Sequence, residues 1–194
     1  MSKNEKICVM IDGVEFINSS EFVSASNYLL AKKEVKRYSS KNESVIRGLW
    51  LGALYQNYLL RGYLADIRLE FIDKKIGYGI FANRDIKEGA YIGEYVGEIK
   101  RYLPLRYRRN DYVGELRISE DVPLKFIIDA EKKGNLTRFI NHSPDPNLHS
   151  LTIINKGMMH AIFVAKRPIL KNNQLTYNYG DAYWRKREPP AIIN

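Results

Sequence analysis

The hydrophobic period changes once along the chain, near Asp66, and that change constrains the fold more than any other feature. Before it, apolar residues recur every three or four positions. Phe22, Ala25, Leu29 and Leu30 do so across residues 21–38, and Ile46, Leu49, Trp50, Ala53, Leu54, Tyr58 and Leu60 across residues 43–63. This spacing predicts two amphipathic helices. Ser44 is the expected cap of the second and Gly62 its end, and a short hairpin is expected around Asp12-Gly13. After Asp66 the period falls to two, with Ile67, Leu69 and Phe71 alternating with Arg68 and Glu70. Strand-like runs follow at residues 79–82, 91–97, 126–130 and 160–165, separated by turn signals such as Lys87-Glu88-Gly89, Pro144-Asp145-Pro146 and Lys171-Asn172-Asn173. All seven prolines lie after residue 103. The expectation is a mainly β protein of small sheets with a helical N-terminal flank.

With 194 residues and 45% apolar side chains, the chain has material for one main core, which excludes global disorder. Cys8 is the single cysteine, so an internal disulfide and a cysteine-rich zinc site are both excluded. The polar stretch from Met1 to Lys6 leads into no apolar signal region, and the greasiest run, residues 49–60, is too short to span a bilayer. The expectation is a soluble protein with no membrane association. The net charge is +9, and five cations (Lys100, Arg101, Arg106, Arg108, Arg109) fall within residues 100–109, interleaved with Tyr102 and Tyr107. Such a run can neutralise phosphates of a nucleic acid; it can equally be a solvated face.

Three segments carry residue types suited to a polar ligand. In Gly77-Tyr78-Gly79, two glycines permit a tight turn or a close backbone approach. In Arg138-Phe139-Ile140-Asn141-His142-Ser143, an amide and an imidazole stand side by side, with no second ligand at helical spacing to suggest a metal. In Thr176-Tyr177-Asn178-Tyr179-Gly180, two phenols at i and i+2 share one face of a strand. Taken singly, each also fits an ordinary turn, a structural histidine or half-buried strand tyrosines.

Taken in this order and spacing, they resemble the SET-domain family of protein lysine methyltransferases. The resemblance extends through Glu94-Tyr95-Val96-Gly97-Glu98, Asp129-Ala130 with Gly134-Asn135, and Ala165-Lys166-Arg167-Pro168, and covers roughly residues 66–184. It implies a SET fold, with small curved sheets, a β-clip and a pseudoknot, over residues 66–180. Residues 1–65 become a helical flank and residues 181–194 an aromatic and basic C-terminal flank. It implies S-adenosylmethionine as cofactor, leaving as S-adenosylhomocysteine. Gly77, Tyr78, Gly79, Tyr112, Arg138, Asn141, His142, Tyr179 and Trp184 are the implied cofactor residues. Tyr179, Tyr95 and Tyr177 are the implied catalytic tyrosines, and Tyr177 stands where members carry Phe or Tyr, a tyrosine favouring mono- or dimethylation.

The chain also departs from the family pattern. Where many histone-directed members place a cysteine after Asn-His-Ser, this chain has Pro144, and no cysteine follows Cys8. No zinc or other metal is therefore expected, and Tyr183 and Trp184 are the candidates to close the channel. A short, cysteine-poor form looks like the SET proteins of chlamydiae and other bacteria living in eukaryotic hosts, or those of large viruses. That likeness implies a bacterial effector acting in cytoplasm or host nucleus on a histone or histone-like protein. Glu94, Glu98, Glu115, Glu120 and Asp121 are candidate acids for a peptide groove, and the helical flank is a possible homodimer surface. A catalytically silent SET scaffold and a basic chromatin-binding module are the competing readings.

Overall fold

The computed structural model describes residues 13–38, 43–103, 110–119 and 122–184. The N-terminal part holds β1 (Glu15–Phe16), β2 (Glu21–Phe22), α1 (Ala25–Tyr38), α2 (Glu43–Leu54) and α3 (Gln56–Leu60). Ser24 caps α1, its Oγ accepting the Asn27 amide at 3.2 Å. The first helix thus starts later than its hydrophobic stripe suggests, because Glu21–Phe22 pairs in parallel with Glu98 and Ile99 instead. The second expected helix is interrupted at Tyr55 (φ −96°, ψ 7°). Gly62, at φ +55°, ends it as expected. Ser44 lies inside the first turn of α2 rather than ahead of it. Asp12 lies outside the described residues, and Glu15–Phe16 pairs with a distant strand, not with a hairpin partner.

The strands follow as β3 (Ile67–Asp73), β4 (Gly77–Ala82), β5 (Tyr91–Glu94), β6 (Glu98–Arg101), β7 (Val113–Leu116) and β8 (Phe126–Asp129). After β9 (Lys133–Gly134), a 3-10 turn at Leu136–Phe139 leads into β10 (Asn141–His142). Then come β11 (Leu148–Asn155), β12 (Met158–Ala165), β13 (Thr176–Tyr177) and the short helix α4 (Asp181–Trp184). They form small sheets ordered β11-β12-β5, β2-β6-β8-β7 and β3-β4, with the two-stranded pairs β1-β9 and β10-β13.

The β11–β12 hairpin turns on Lys156 and Gly157, both at positive φ (49° and 74°), the mirror-image turn that suits strand twist. The main core lies between the sheets around Ile80, Ile92, Phe126, Leu136, Ile140 and Phe163. A second cluster, Leu59, Tyr91, Ile153, Ile162 and Val164, fills the space between the β11-β12-β5 sheet and α2–α3. There α2 comes down on β11 at backbone distance: a Cβ on Gly52 would stand 1.8 Å from the Ile154 carbonyl oxygen.

Candidate active site

Two segments far apart in sequence are laid side by side to make the site. β10 and β13 pair in parallel, Asn141 opposite Thr176 and His142 opposite Tyr177. Asn147 locks the crossing: its Nδ2 donates to the Gln174 carbonyl at 2.8 Å and its Oδ1 accepts the Thr176 amide at 2.9 Å. The His142 Nδ1 accepts the Tyr179 amide at 3.1 Å, so the neutral ring carries its proton on Nε2. Burial lowers the His142 pKa below the usual histidine value, which keeps the ring neutral. The Tyr179 hydroxyl donates to the Ile140 carbonyl at 2.9 Å. Tyr177 lies between rings, 4.8 Å from Phe163 and 4.7 Å from Tyr179. Burial raises both phenols well above their ordinary value, with neighbouring tyrosines adding to the shift.

Tyr95, 6% exposed, reaches the same cluster from the end of β5. Its hydroxyl donates to the Tyr112 carbonyl at 2.8 Å, and its ring meets Phe163 edge-on at 6.3 Å. Burial is the main cause of its raised pKa, with Tyr179 contributing. Arg138 is itself buried, at 5% exposure. Its Nε donates to the Ala130 carbonyl at 2.9 Å and its guanidinium lies 3.6 Å over the Tyr112 ring. The Tyr112 segment is pinned in turn by Asp129, whose Oδ1 accepts from Asn110 Nδ2 at 2.8 Å; Asn110 Oδ1 accepts the Tyr112 amide at 2.9 Å. Lys100 Nζ donates to Asp129 Oδ2 at 2.8 Å and pairs with Glu98 at 2.8 Å. Burial pushes the Asp129 carboxyl up, but the bonds from Lys100, the Glu131 amide and Asn110 outweigh it and hold the pKa below the usual range.

Gly77, Tyr78 and Gly79 border this region through β4. The Tyr78 carbonyl accepts from Asn141 Nδ2 at 2.9 Å, and a Cβ on Gly79 would meet Asn141, Gln174 and Ile72 within 3.0 Å. Gly77, at φ +79°, faces open space. On the other side Trp184 packs 4.8 Å from His142 and lies parallel to Tyr179 at 6.0 Å, with Tyr183 wedged at 4.7 Å from Tyr179. The Trp184 Nε1 is buried with no hydrogen-bond partner among the described residues. The structure therefore brings Tyr78, Gly79, Asn141, His142, Tyr177, Tyr179 and Trp184 into one constellation, with Tyr95, Tyr112 and Arg138 as an adjoining group joined to it through Phe163.

The candidate groove acids are already engaged. Glu94 is buried against His160 Nδ1 at 2.7 Å, Glu98 is paired with Lys100, and Glu115 with Arg117 at 2.8 Å; Glu120 and Asp121 lie outside the described residues. The Glu94–His160 couple carried no sequence signal, because the partners are 66 positions apart and meet only across the β5–β12 pairing. Among the described residues no group of His, Cys, Asp and Glu is placed to hold a metal, and no helix is long and apolar enough to cross a membrane.

The sequence profile of the SET domain matches residues 77–180, more than half of the chain and the whole stretch from β4 to the second site tyrosine. The chain belongs to the SET-domain family. It is 35% identical over 130 residues to the variant-silencing SET domain-containing protein of Plasmodium falciparum, covering 61% of this chain and 5% of that protein. It is 40% identical over 108 residues to the H3 lysine-4 specific histone-lysine N-methyltransferase of Schizosaccharomyces pombe, covering 52% and 11%. The chain thus spans only a small part of these SET-domain relatives. Among solved structures, the polycomb repressive complex 2 of Chaetomium thermophilum matches at 30% identity and TM-score 0.57, over 66% of this chain and 17% of that one. ATXR5, in complex with histone H3.1, matches over 91% of this chain and 85% of its own with TM-score 0.64; at 21% identity that likeness speaks for the SET fold alone.

Proposed function

We propose that the chain is an S-adenosylmethionine-dependent protein-lysine N-methyltransferase acting on histones or histone-like proteins. The observation that carries this reading is the β10–β13 crossing, which sets Asn141 and His142 against Tyr177 and Tyr179 inside the segment matched by the SET profile. The name of the Schizosaccharomyces pombe relative, an H3 lysine-4 specific histone-lysine N-methyltransferase, supports the substrate class. In this reading residues 66–180 are the catalytic domain, with residues 1–65 and 181–194 as flanks.

The residues present fit the cofactor. A buried indole N–H without a partner among the described residues, a glycine facing open space and an Nε2–H on His142 are donors and room that a polar, adenine-bearing molecule uses. Gly77, Tyr78, Gly79, Asn141, His142, Tyr179 and Trp184 would hold it. Arg138 spends its guanidinium on Ala130 and Tyr112 and is assigned to positioning that segment. Bound S-adenosylmethionine supplies a methyl group on a positively charged sulfur. The protein's own part is to align and to desolvate. Freeing a lysine amine of its proton at pH 7 costs roughly 4–5 kcal/mol from a reference pKa near 10.4, and an apolar channel lowers that cost by disfavouring the ammonium. Phenols with raised pKa values stay protonated and are not the base; the proton leaves to water as the amine enters the channel. Tyr179 and Tyr95 already donate their hydroxyl protons to the carbonyls of Ile140 and Tyr112. What each oxygen still offers is an acceptor site for the amine N–H, which turns the nitrogen lone pair the other way.

Tyr177 narrows the channel, so mono- and dimethyl-lysine are the proposed products. Cysteine economy supports placing the chain among short forms that close the site without zinc, through Tyr183 and Trp184, and with it an effector role in a host. The basic run at residues 100–109 supports a DNA-associated substrate. The test is radiolabelled methyl transfer to a histone panel and to cell extract. Label on lysine is expected with wild type, falling about 100-fold or more in Tyr179→Phe. Cofactor binding without transfer would make the domain a silent scaffold, and normal turnover in Tyr179→Phe would remove the tyrosine from its role.

A further inference from the structure

The helical flank is apolar on both of its faces, and the described residues cover only one of them. Val45, Gly48 and Gly52 turn α2 toward β11. On the opposite side Ile46, Leu49, Trp50 and Leu54 follow the i, i+3, i+4, i+8 pattern, and α3 adds Tyr58 and Leu60. All six are between 41% and 66% exposed. Arg47 is the only charged residue in residues 46–60, in a chain where 27% of residues are charged. A helix apolar all round belongs between two layers, and here the sheet supplies one. Exposed apolar patches of this extent mark interaction surfaces.

We infer that a second copy of this chain covers the α2–α3 face in a two-fold dimer. Two arguments select that occupant. The first is area. The six side chains leave roughly 700 Å² in solvent, close to the ~800 Å² each partner buries in a standard-size interface. A two-fold contact doubles one patch without needing any other surface. The second is charge. A molecule of +9 repels its own copies over most of its surface, and this near-neutral face is where two copies approach without opposing charges. The same neutrality gives a nucleic acid or a basic histone tail nothing to recognise. The face also has an interface core's composition: Trp, Tyr and a single Arg, with Lys, Asp and Glu absent from residues 46–60.

The experiment is sedimentation velocity of the full chain across a wide concentration range, with Trp50→Glu and Leu54→Glu. Both positions are exposed, so the monomer fold tolerates them, and circular dichroism checks it. Leu170→Glu, at an apolar residue equally exposed (62%) but off this face, is the control. Wild type and the control should form a dimer; each α2 variant should weaken it at least about thirtyfold, the ~2 kcal/mol of a hot-spot residue. Dimers unchanged in both α2 variants overturn the assignment. So does a wild-type monomer: shielding of Trp50 from acrylamide would then give the face to another segment of the chain, and binding to phosphatidylcholine vesicles would give it to lipid.

Discussion

The Nδ1 of His142 accepts the Tyr179 amide at 3.1 Å, so a proton added there would break that bond and set two N–H groups against each other. Burial has already lowered the ring's pKa. The unfolded chain therefore binds this proton more readily than the fold. The stability it represents is complete above the unfolded value of about 6.5 and is lost as pH falls from there toward the lowered folded value. Asp129, whose pKa is also lowered, acts in a separate window: its contribution stands above the unfolded carboxylate value of about 3.9 and is lost at lower pH. Urea midpoints should decline in two limbs as pH falls, and His142→Gln should remove the upper one; equal slopes for variant and wild type between about pH 7 and 5 would disprove it. Tyr177 presents a second single-atom question. Its half-buried ring packs against Phe163 and Tyr179, so Tyr177→Phe removes one oxygen's volume beside the proposed channel. Mass spectrometry of the methylated lysine should show trimethyl product rising from minor to major. Mainly trimethyl-lysine from wild type would contradict the role given to Tyr177.

At the scale of elements, α2 and β11 make a contact that ranks two glycines. A Cβ at Gly52 would stand 1.8 Å from the Ile154 carbonyl oxygen, a backbone atom that cannot turn aside, whereas one at Gly48 would meet the Ile154 side chain at an ordinary 3.5 Å. Gly48→Ala should therefore be neutral or stabilising by up to ~1 kcal/mol through helix propensity. Gly52→Ala should cost about 1–3 kcal/mol through overpacking. Chemical denaturation of the pair checks the order, and equal effects would mean that the helix can ride up off the strand. The same contact explains what was hard to see in the sequence. α2 was legible from its stripe, but that stripe marks the exposed face; the buried one is written in glycines, which carry no hydrophobic signal. β11 was not legible as a strand. Only His149 and Ser150 are exposed, Leu151 and Thr152 are half-buried, and its last residues, Ile153 to Asn155, are buried on both faces, so no period-2 alternation survives. β6 and β7 are four residues each, too short to show a period. Of the site, the tyrosine pair and Asn141-His142 stood out by composition and spacing. The parallel β10–β13 ladder that joins them did not, because it is made between residues 35 positions apart, at a crossing held by Asn147 and His142.

At the scale of the whole molecule, the charge of +9 is not all available to a partner, and the basic run divides accordingly. Lys100 lies in β6 with its ammonium held 2.8 Å from both Asp129 and Glu98. Burial works against its charge, and the hydrogen bonds it donates to those two carboxylates more than restore it, raising its pKa. That cation is committed to the Asp129–Asn110–Tyr112 chain that leads to Tyr95 and Arg138. Arg106, Arg108 and Arg109 lie outside the described residues. The two groups predict different consequences of removing charge. Affinity for duplex DNA should fall linearly in a plot of log K against log salt, each phosphate contact contributing about 0.9 to the slope. Reversing Arg106, Arg108 and Arg109 together should therefore reduce the slope by at least about 2.7. Lys100→Gln should do the opposite: the slope should hold, the melting temperature should fall, and methyl transfer should decline as Tyr112 loses its anchor. A triple reversal that leaves the salt slope unchanged would show that the run does not meet phosphate. A Lys100→Gln variant that loses DNA affinity at full stability would show that the carboxylates share their cation with the nucleic acid.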